Sequence, residues 1–200
     1  MRITRYLMLL GLAVAIMSSC ETVKKVTTKK DEGEKIVTKE GGKTGKAITK
    51  YMEKHAEEIK AVLENGSVEA QKQKIRITFE SGVLFAFNSS ELGIVAKANL
   101  TKFAEILNAN PDTKLLIEGH SDDKGDLEVN KAISLNRANE VANYLKSKGV
   151  KKARIETYGY GPSKPKVDNS TAANRALNRR VEIVIYASDT LVQRAKNGSL

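Results

Sequence analysis

Residues 114–149 read KLLIEGHSDDKGDLEVNKAISLNRANEVANYLKSKG, and they contain the two elements on which the fold depends. The apolar run at residues 114–118 predicts a short buried strand. Residues 127–148 carry apolar side chains at helical spacing, and Gly149 follows them as a typical end of a helix. This order predicts a strand, a polar loop and a long helix.

The alternation of strand and helix continues on both sides of this stretch. Further strands are predicted at residues 75–79, 154–158 and 180–186, and further helices at residues 91–108 and 171–177. A second short apolar run lies at residues 83–87. The order β-α-β-α-β-α-β predicts a single α/β domain, an α+β sandwich, over residues 74–187.

Three segments flank the predicted domain. Residues 47–65 carry apolar side chains at helical spacing and predict an amphipathic helix that packs on the domain or on a partner. Residues 20–46 are rich in Thr, Lys, Glu and Gly, so they cannot bury enough apolar surface to offset chain entropy. We therefore expect them to form a flexible tether. Residues 188–200 form a polar tail for which we predict no helix or strand.

The N-terminus has the pattern of an export signal. Arg2 and Arg5 precede an apolar run at residues 6–17, which is too short to span a membrane comfortably. Cys20 follows this run directly after small residues, an arrangement that resembles the bacterial lipobox. We expect removal of residues 1–19 and acylation of Cys20, which would anchor the chain in a lipid bilayer. The alternative is an uncut signal anchor with an incidental cysteine.

The charge of the chain suggests an anionic surface as a counterpart. The formal net charge is +10, from 34 Lys and Arg against 24 Asp and Glu. A nucleic-acid partner is not expected, because the chain has no Trp and does not interleave aromatic with basic residues. Anionic lipid headgroups or a polyanionic cell wall fit an exported chain better.

Catalysis is not expected from this composition. The two histidines lie 65 residues apart, and the only cysteine is assigned to lipid, so a metal site or a Cys-His pair is not predicted. His120, Ser121 and Asp122 are neighbours in sequence, whereas a catalytic triad needs partners from different elements. We therefore expect no enzyme activity and no cofactor.

Three motifs resemble the OmpA-like peptidoglycan-binding domain. They are Gly119-His120-Ser121-Asp122, Asn130-Lys131-Ala132-Ile133-Ser134-Leu135-Asn136-Arg137-Ala138 and Asn178-Arg179-Arg180-Val181. The resemblance implies a ligand, the diaminopimelate residue of the peptidoglycan stem peptide, whose free end carries an ammonium and a carboxylate. Together with the lipobox it implies a lipoprotein of the cell outer membrane whose domain faces the periplasm.

The resemblance also assigns roles to individual residues. It implies that Asp122 takes the ligand ammonium, that Arg137 binds the ligand carboxylate, and that Arg179 is a second carboxylate-binding position. Asn88 would line the same pocket, and Asn130 shares a helix face with Arg137. Arginine suits these positions because its planar guanidinium can bond a carboxylate twice.

Two alternatives stay open at this point. In the first, Asp122 and Arg137 pair only with each other as a surface ion pair, which contributes about 0 to 1 kcal/mol. The function implied by the resemblance is a non-covalent tether between the outer membrane and peptidoglycan. The rival function is an accessory lipoprotein whose domain binds another envelope protein through the helix predicted at residues 47–65.

Overall fold

A five-stranded sheet forms the centre of the computed structural model, which describes residues 41–86 and 89–200. The strands lie in the order β1-β2-β5-β3-β4; only β3 and β4 are parallel, and the other neighbours are antiparallel. Their bounds are β1 (Ser67–Gln71), β2 (Lys74–Glu80), β3 (Thr113–His120), β4 (Ile155–Gly161) and β5 (Arg180–Ala187).

Most of the helices pack on one face of this sheet. Their bounds are α1 (Gly42–Val62), α2 (Ser81–Leu84), α3 (Ile94–Ala109), α4 (Leu127–Ser147), α5 (Ala172–Asn178) and α6 (Asp189–Lys196). Alternate strand residues such as Ile75, Ile77 and Phe79 share one buried apolar cluster with residues of α1, α3 and α4. Because side chains alternate across a strand, the intervening residues lie on the opposite face of the sheet.

The predicted α/β class is confirmed, and each predicted strand and helix of the domain has a counterpart. Strand β1 was not predicted from the sequence. Its residues are exposed except for the half-buried Val68. A strand of that kind lacks the alternation of apolar and polar residues on which sequence prediction depends. The apolar run at 83–87 enters the short helix α2, and Phe85 then pairs with Leu92 in an isolated bridge.

The first and last described helices extend the core beyond the predicted domain. Helix α1 begins at Gly42, so residues 42–46, which we placed in the tether, are helical. It buries Ile48, Met52 and Ile59 in the core cluster of the domain. Residues 188–200, for which we predicted only a polar tail, contain α6. The Ser188 side chain caps this helix by accepting a hydrogen bond from Leu191 N.

Helix α6 was missed because its apolar content is low, yet its few apolar side chains are all buried. Leu191, Val192 and Ala195 belong to the same core cluster as the buried residues of α1.

Several predicted features lie outside the described residues: Cys20, the export signal, the remainder of the predicted tether and Asn88. Within the described part of the chain, none of the helices has the length and apolar character needed to span a bilayer.

Helix α4 lies unusually close to strands β3 and β4. A Cβ added at Gly119 would come within 1.9 Å of the Ser134 carbonyl oxygen, and one added at Gly159 would come within 2.5 Å of the Leu135 backbone nitrogen. Both glycines therefore permit direct contact between the backbone of the helix and that of the sheet. This contact fixes where the side chains of α4 lie relative to the end of β3.

Candidate functional site

The loop that follows β3 is held in place at its first residues. Ser121 N donates to the Gly161 carbonyl oxygen at 3.0 Å, and Ser121 Oγ donates to the Asp122 carbonyl oxygen at 2.8 Å. Asp126 then caps α4 by accepting bonds from Glu128 N and Val129 N. Because both ends of the loop are bonded, Asp122 has a defined position above the end of the sheet.

Asp122 pairs with Arg179. Its Oδ2 atom accepts from Arg179 Nη1 at 2.6 Å, and its Oδ1 atom accepts from Lys124 N at 3.1 Å. The Asp122 side chain is 12% exposed, whereas the Arg179 side chain is 43% exposed. The Arg179 backbone is fixed independently, since its carbonyl oxygen accepts from Ser81 N at 2.8 Å. The carboxylate is thus buried on one side and reachable from the side of Arg179.

Arg137 enters the same region from α4, and it is 9% exposed. Its Nε donates to the Ser89 carbonyl oxygen at 3.3 Å, its Nη1 donates to Ser81 Oγ at 3.4 Å, and its guanidinium lies 5.4 Å from the centre of the Phe85 ring. Among the residues that the structure describes, no carboxylate lies within 4 Å of this guanidinium. Burial is the main cause that lowers the pKa of Arg137; the Arg179 charge lowers it further and Asp122 opposes both.

Arg154 shows how a buried arginine with a purely structural role differs. Its guanidinium makes four short bonds, at 2.7 to 3.0 Å, to the carbonyl oxygens of Leu107, Asn110 and Thr113 and to Thr113 Oγ1. Arg137 has only two bonds, and both are long. The bonding capacity of Arg137 is therefore underused within the described chain, although its charge has been moved out of water.

Asn130 and Ser134 support the loop and the packing around Arg137. Asn130 Nδ2 donates to the Lys124 carbonyl oxygen at 2.8 Å, which braces the loop around Asp122. Ser134 Oγ accepts from Gly161 N at 2.9 Å and is fully buried between α4 and the sheet. Asn130 therefore acts on the site indirectly, by holding the loop that carries Asp122, and Ser134 is a packing residue.

The structure brings three of the implied site residues together. Asp122, Arg137 and Arg179 come from the loop after β3, from α4 and from the residue before β5, and their charges influence one another. Sequence reasoning missed Ser81 and Ser89, which hold the Arg137 guanidinium. No sequence signal could have identified them, because a backbone carbonyl and an isolated hydroxyl have no recognisable pattern.

A second group of charges lies behind the site on the helix-free face of the sheet. Glu118, His120 and Glu182 are buried with their ligand-type atoms within 4.8 Å of one another, an arrangement compatible with a metal ion. However, Arg180 Nε donates to Glu182 at 2.7 Å, and Arg76 pairs with Glu182 and lies 4.0 Å from Glu118. The two guanidinium groups already balance the two carboxylates, so the arrangement fits a structural charge cluster.

The sequence of this chain is similar to a known protein family and to several envelope lipoproteins. The sequence model of the OmpA family matches residues 84–179. Outer-membrane lipoprotein YfiB of Pseudomonas aeruginosa is 39% identical over 132 residues, which cover 66% of this chain and 78% of that protein. Peptidoglycan-associated lipoprotein of Legionella pneumophila is 34% identical over 105 residues, which cover 52% of this chain and 60% of that protein.

A solved structure extends the similarity to the fold. The cell wall anchor of the T6SS from Pseudomonas aeruginosa aligns with a TM-score of 0.59 at 30% identity, covering 68% of this chain and 97% of that one. The residues that the OmpA family model matches include Asp122, Arg137 and Arg179.

Proposed function

Because this chain belongs to the OmpA family, we propose that its α/β domain binds the diaminopimelate-containing stem peptide of peptidoglycan. The observation that carries the proposal is Arg137, a buried guanidinium with two long bonds to neutral acceptors and a charged carboxylate, Asp122, close by. A ligand with one carboxylate and one ammonium would complement this pair.

The free end of diaminopimelate has both groups on one carbon. Its carboxylate would accept two parallel bonds from Arg137, which is the geometry that guanidinium favours. Its ammonium would bond to Asp122, whose Oδ2 atom is already shared with Arg179. The exposed part of Arg179 would then face the ligand carboxylate as a second cation. These charge-assisted bonds form in a half-buried site, where they are stronger than in water.

The second part of the proposal concerns attachment. A lipid on Cys20 would hold the chain in the outer membrane while the domain, on the periplasmic side, holds the wall. A site with a few charge-assisted bonds is weak by itself, but attachment to a surface that faces a repetitive polymer raises its effective concentration. Intact-mass measurement of the purified protein would show loss of residues 1–19 and added acyl mass. An unmodified thiol at Cys20 would remove this anchor.

The rival function relied on α1 as a docking helix for another envelope protein. Helix α1 buries its apolar residues Ile48, Met52 and Ile59 in the core of the same chain. Its apolar face is therefore occupied, and most of its exposed side chains are charged or polar. This observation favours peptidoglycan binding over the rival.

Co-sedimentation with purified peptidoglycan tests the binding proposal. The full chain, kept soluble in detergent, is expected to sediment with diaminopimelate-type peptidoglycan and to be released by free diaminopimelate. Peptidoglycan with lysine at the same position lacks the side-chain carboxylate and serves as the matched ligand control. It should bind at least about thirtyfold more weakly, a difference of about 2 kcal/mol. Equal binding to both polymers would refute the assignment of Arg137.

A further inference from the structure

A cleft of about 450 Å³ opens beside the proposed site, and none of the assigned residues belongs to it. Its wall includes Thr78 and Glu80 at the end of β2 and Leu177 at the end of α5. Both segments run directly into the site. Glu80 precedes Ser81, which accepts a bond from Arg137, and Leu177 lies two residues before Arg179. The Ser81 N to Arg179 O bond joins the two segments where they leave the cleft.

The cleft lies at the end of the sheet where β1 begins and β2 ends, with Val83 of α2 and Leu177 of α5 among its lining residues. Ile77 and Phe79 point into the helix-covered core, so Thr78 and Glu80 point to the other side. Ser67 of β1 is paired with Thr78 of β2 and shares this face with it. The volume falls within the range of about 300 to 1,000 Å³ that is typical of ligand clefts. A cleft of this size can hold a short piece of a polymer.

The chemistry of the cleft wall is that of a site for a polyhydroxylated ligand. Asn65 contributes an amide, Ser67 and Thr78 contribute hydroxyls, and Glu80 and Lys166 contribute opposite charges. Within residues 41–86 and 89–200, no side-chain hydrogen bond or ion pair engages the last four of these. Their donors and acceptors are thus available to a ligand, as a binding cleft requires.

Two apolar side chains complete the wall. Val83 and Leu177 are half-buried and provide carbon surface next to the polar groups. A sugar ring has this same combination, with hydroxyls around its edge and C–H groups on its faces. An amino sugar adds an acetamido group, which can both donate and accept hydrogen bonds.

We propose that this cleft binds the amino-sugar chain of the same polymer whose stem peptide occupies the site at Asp122 and Arg137. The inference rests on the proposed function, because it takes the ligand of the site to be peptidoglycan. The stem peptide is attached to a sugar, and a few extended residues at about 3.3 to 3.6 Å each separate that sugar from diaminopimelate. A subsite for that sugar would therefore lie next to the peptide site, which is the position of the cleft.

Two soluble ligands separate the cleft from the peptide site. The first is the stem peptide alone, and the second is the same peptide attached to its disaccharide. Titration calorimetry on the full chain in detergent should give about tenfold tighter binding of the second ligand, as expected for a few added hydrogen bonds. The double variant Thr78→Val/Glu80→Gln should lose this gain while its affinity for the peptide alone stays unchanged.

A control variant and a stability measurement make the outcomes distinct. Glu105→Gln removes an exposed carboxylate on α3 and should keep the tenfold gain. The melting temperatures of all variants should agree within a few degrees. If the disaccharide adds no affinity to the wild type, or if the cleft variant keeps the gain, the sugar subsite is refuted while the peptide site stands. If neither ligand binds the wild type, both the cleft and the proposed function are refuted.

Discussion

The Asp122 carboxylate and the Arg179 guanidinium are held 2.6 Å apart across the end of the sheet, while Arg137 beside them contacts only neutral acceptors. The alternative, a surface pair of Asp122 with Arg137, is not formed, because Asp122 pairs with Arg179 instead. This arrangement leaves the buried Arg137 guanidinium without a carboxylate among the described residues. A ligand carboxylate would complete the group, so binding and stability should respond differently to changes at these positions.

Replacing Arg137 should separate affinity from stability. Arg137→Ala removes the proposed bidentate partner and should weaken peptidoglycan binding at least about thirtyfold, or about 2 kcal/mol. Arg137→Lys keeps the charge but not the planar fork and should recover only part of the affinity. Because the ligand-free protein buries this cation with only two long bonds, Arg137→Met should keep or raise the melting temperature.

Arg194 provides the control for this series. Arg194 pairs with Asp112 before the start of β3, at the other end of that strand from Asp122. Arg194→Ala should leave binding unchanged. Binding measured by sedimentation and unfolding followed by circular dichroism would check both statements. A parallel loss of affinity and melting temperature in the Arg137 variants would show that Arg137 is structural.

The Asp122 and Arg179 pair can be compared with a second pair of the same length. Asp122→Asn removes the counter-charge of the ligand ammonium and should weaken binding about tenfold or more. Its effect on the free energy of unfolding should be within about 1 kcal/mol, because the Arg179 side chain is 43% exposed. Asp112→Asn breaks a 2.6 Å pair with similarly exposed Arg194 and should match this stability effect while binding normally. Equal binding by the two variants would contradict the role of Asp122.

The contact between α4 and the sheet should be intolerant of a single methyl group. Gly119→Ala would place its Cβ 1.9 Å from the Ser134 carbonyl oxygen, so the helix or the strand must move. We expect a loss of about 2 to 3 kcal/mol or more in the free energy of unfolding, measured by denaturant titration. Gly82→Ala has no atom within 4 Å of the new Cβ and should change stability by less than about 1 kcal/mol. Similar stabilities of the two variants would refute the close packing.

Glu182 should make folding sensitive to acid. Burial raises the pKa of Glu182, but the hydrogen bond and charge of Arg180, aided by Arg76, outweigh burial and hold the pKa below its ordinary value. A carboxyl whose pKa is lower when folded stabilises the protein above its unfolded pKa, about 4.3. This stabilisation is lost as the pH falls through the folded pKa.

Substitution isolates this contribution. Glu182→Gln should lower the free energy of unfolding at pH 7 by roughly 3 kcal/mol, because it leaves the buried Arg180 guanidinium without its carboxylate. The difference between wild type and variant should shrink as the pH falls below about 4.3, where the unfolded wild-type chain binds a proton at Glu182 that the folded chain still resists. Denaturant titrations from pH 7 to pH 3 would measure it. A difference that stays constant over that range would contradict the assignment.

The order of strands and helices could be predicted because most elements bury one periodic face. Residues 75–79 and 180–186 became β2 and β5 for this reason, and α3 and α4 followed from helical spacing. Strand β1 could not be predicted, since it is held by backbone pairing with β2 rather than by buried side chains. Helix α6 has few apolar residues, and their burial depends on contacts with α1 and β5, which are distant in sequence or have no helical pattern.

The resemblance named the candidate site residues but not their geometry. The resemblance pointed to Asp122, Arg137 and Arg179, which the fold brings together. It could not reveal that Asp122 pairs with Arg179 or that Asn130 braces the loop through the Lys124 carbonyl oxygen. Such contacts depend on the path of the loop between Asp122 and α4, and no periodic pattern in the sequence encodes that path.

Helix α1 has a mechanical consequence for a protein that is pulled from its N-terminal side while its site is held. The force would act first on α1, whose 21 residues dock through side chains such as Ile48, Met52 and Ile59, and not on the central strands β3 and β5. Unwinding would lengthen this segment from about 32 Å to about 70 Å. The helix would therefore yield as an extensible element in series with the site, whose residues on α4 and beside β3 and β5 would stay in place under load.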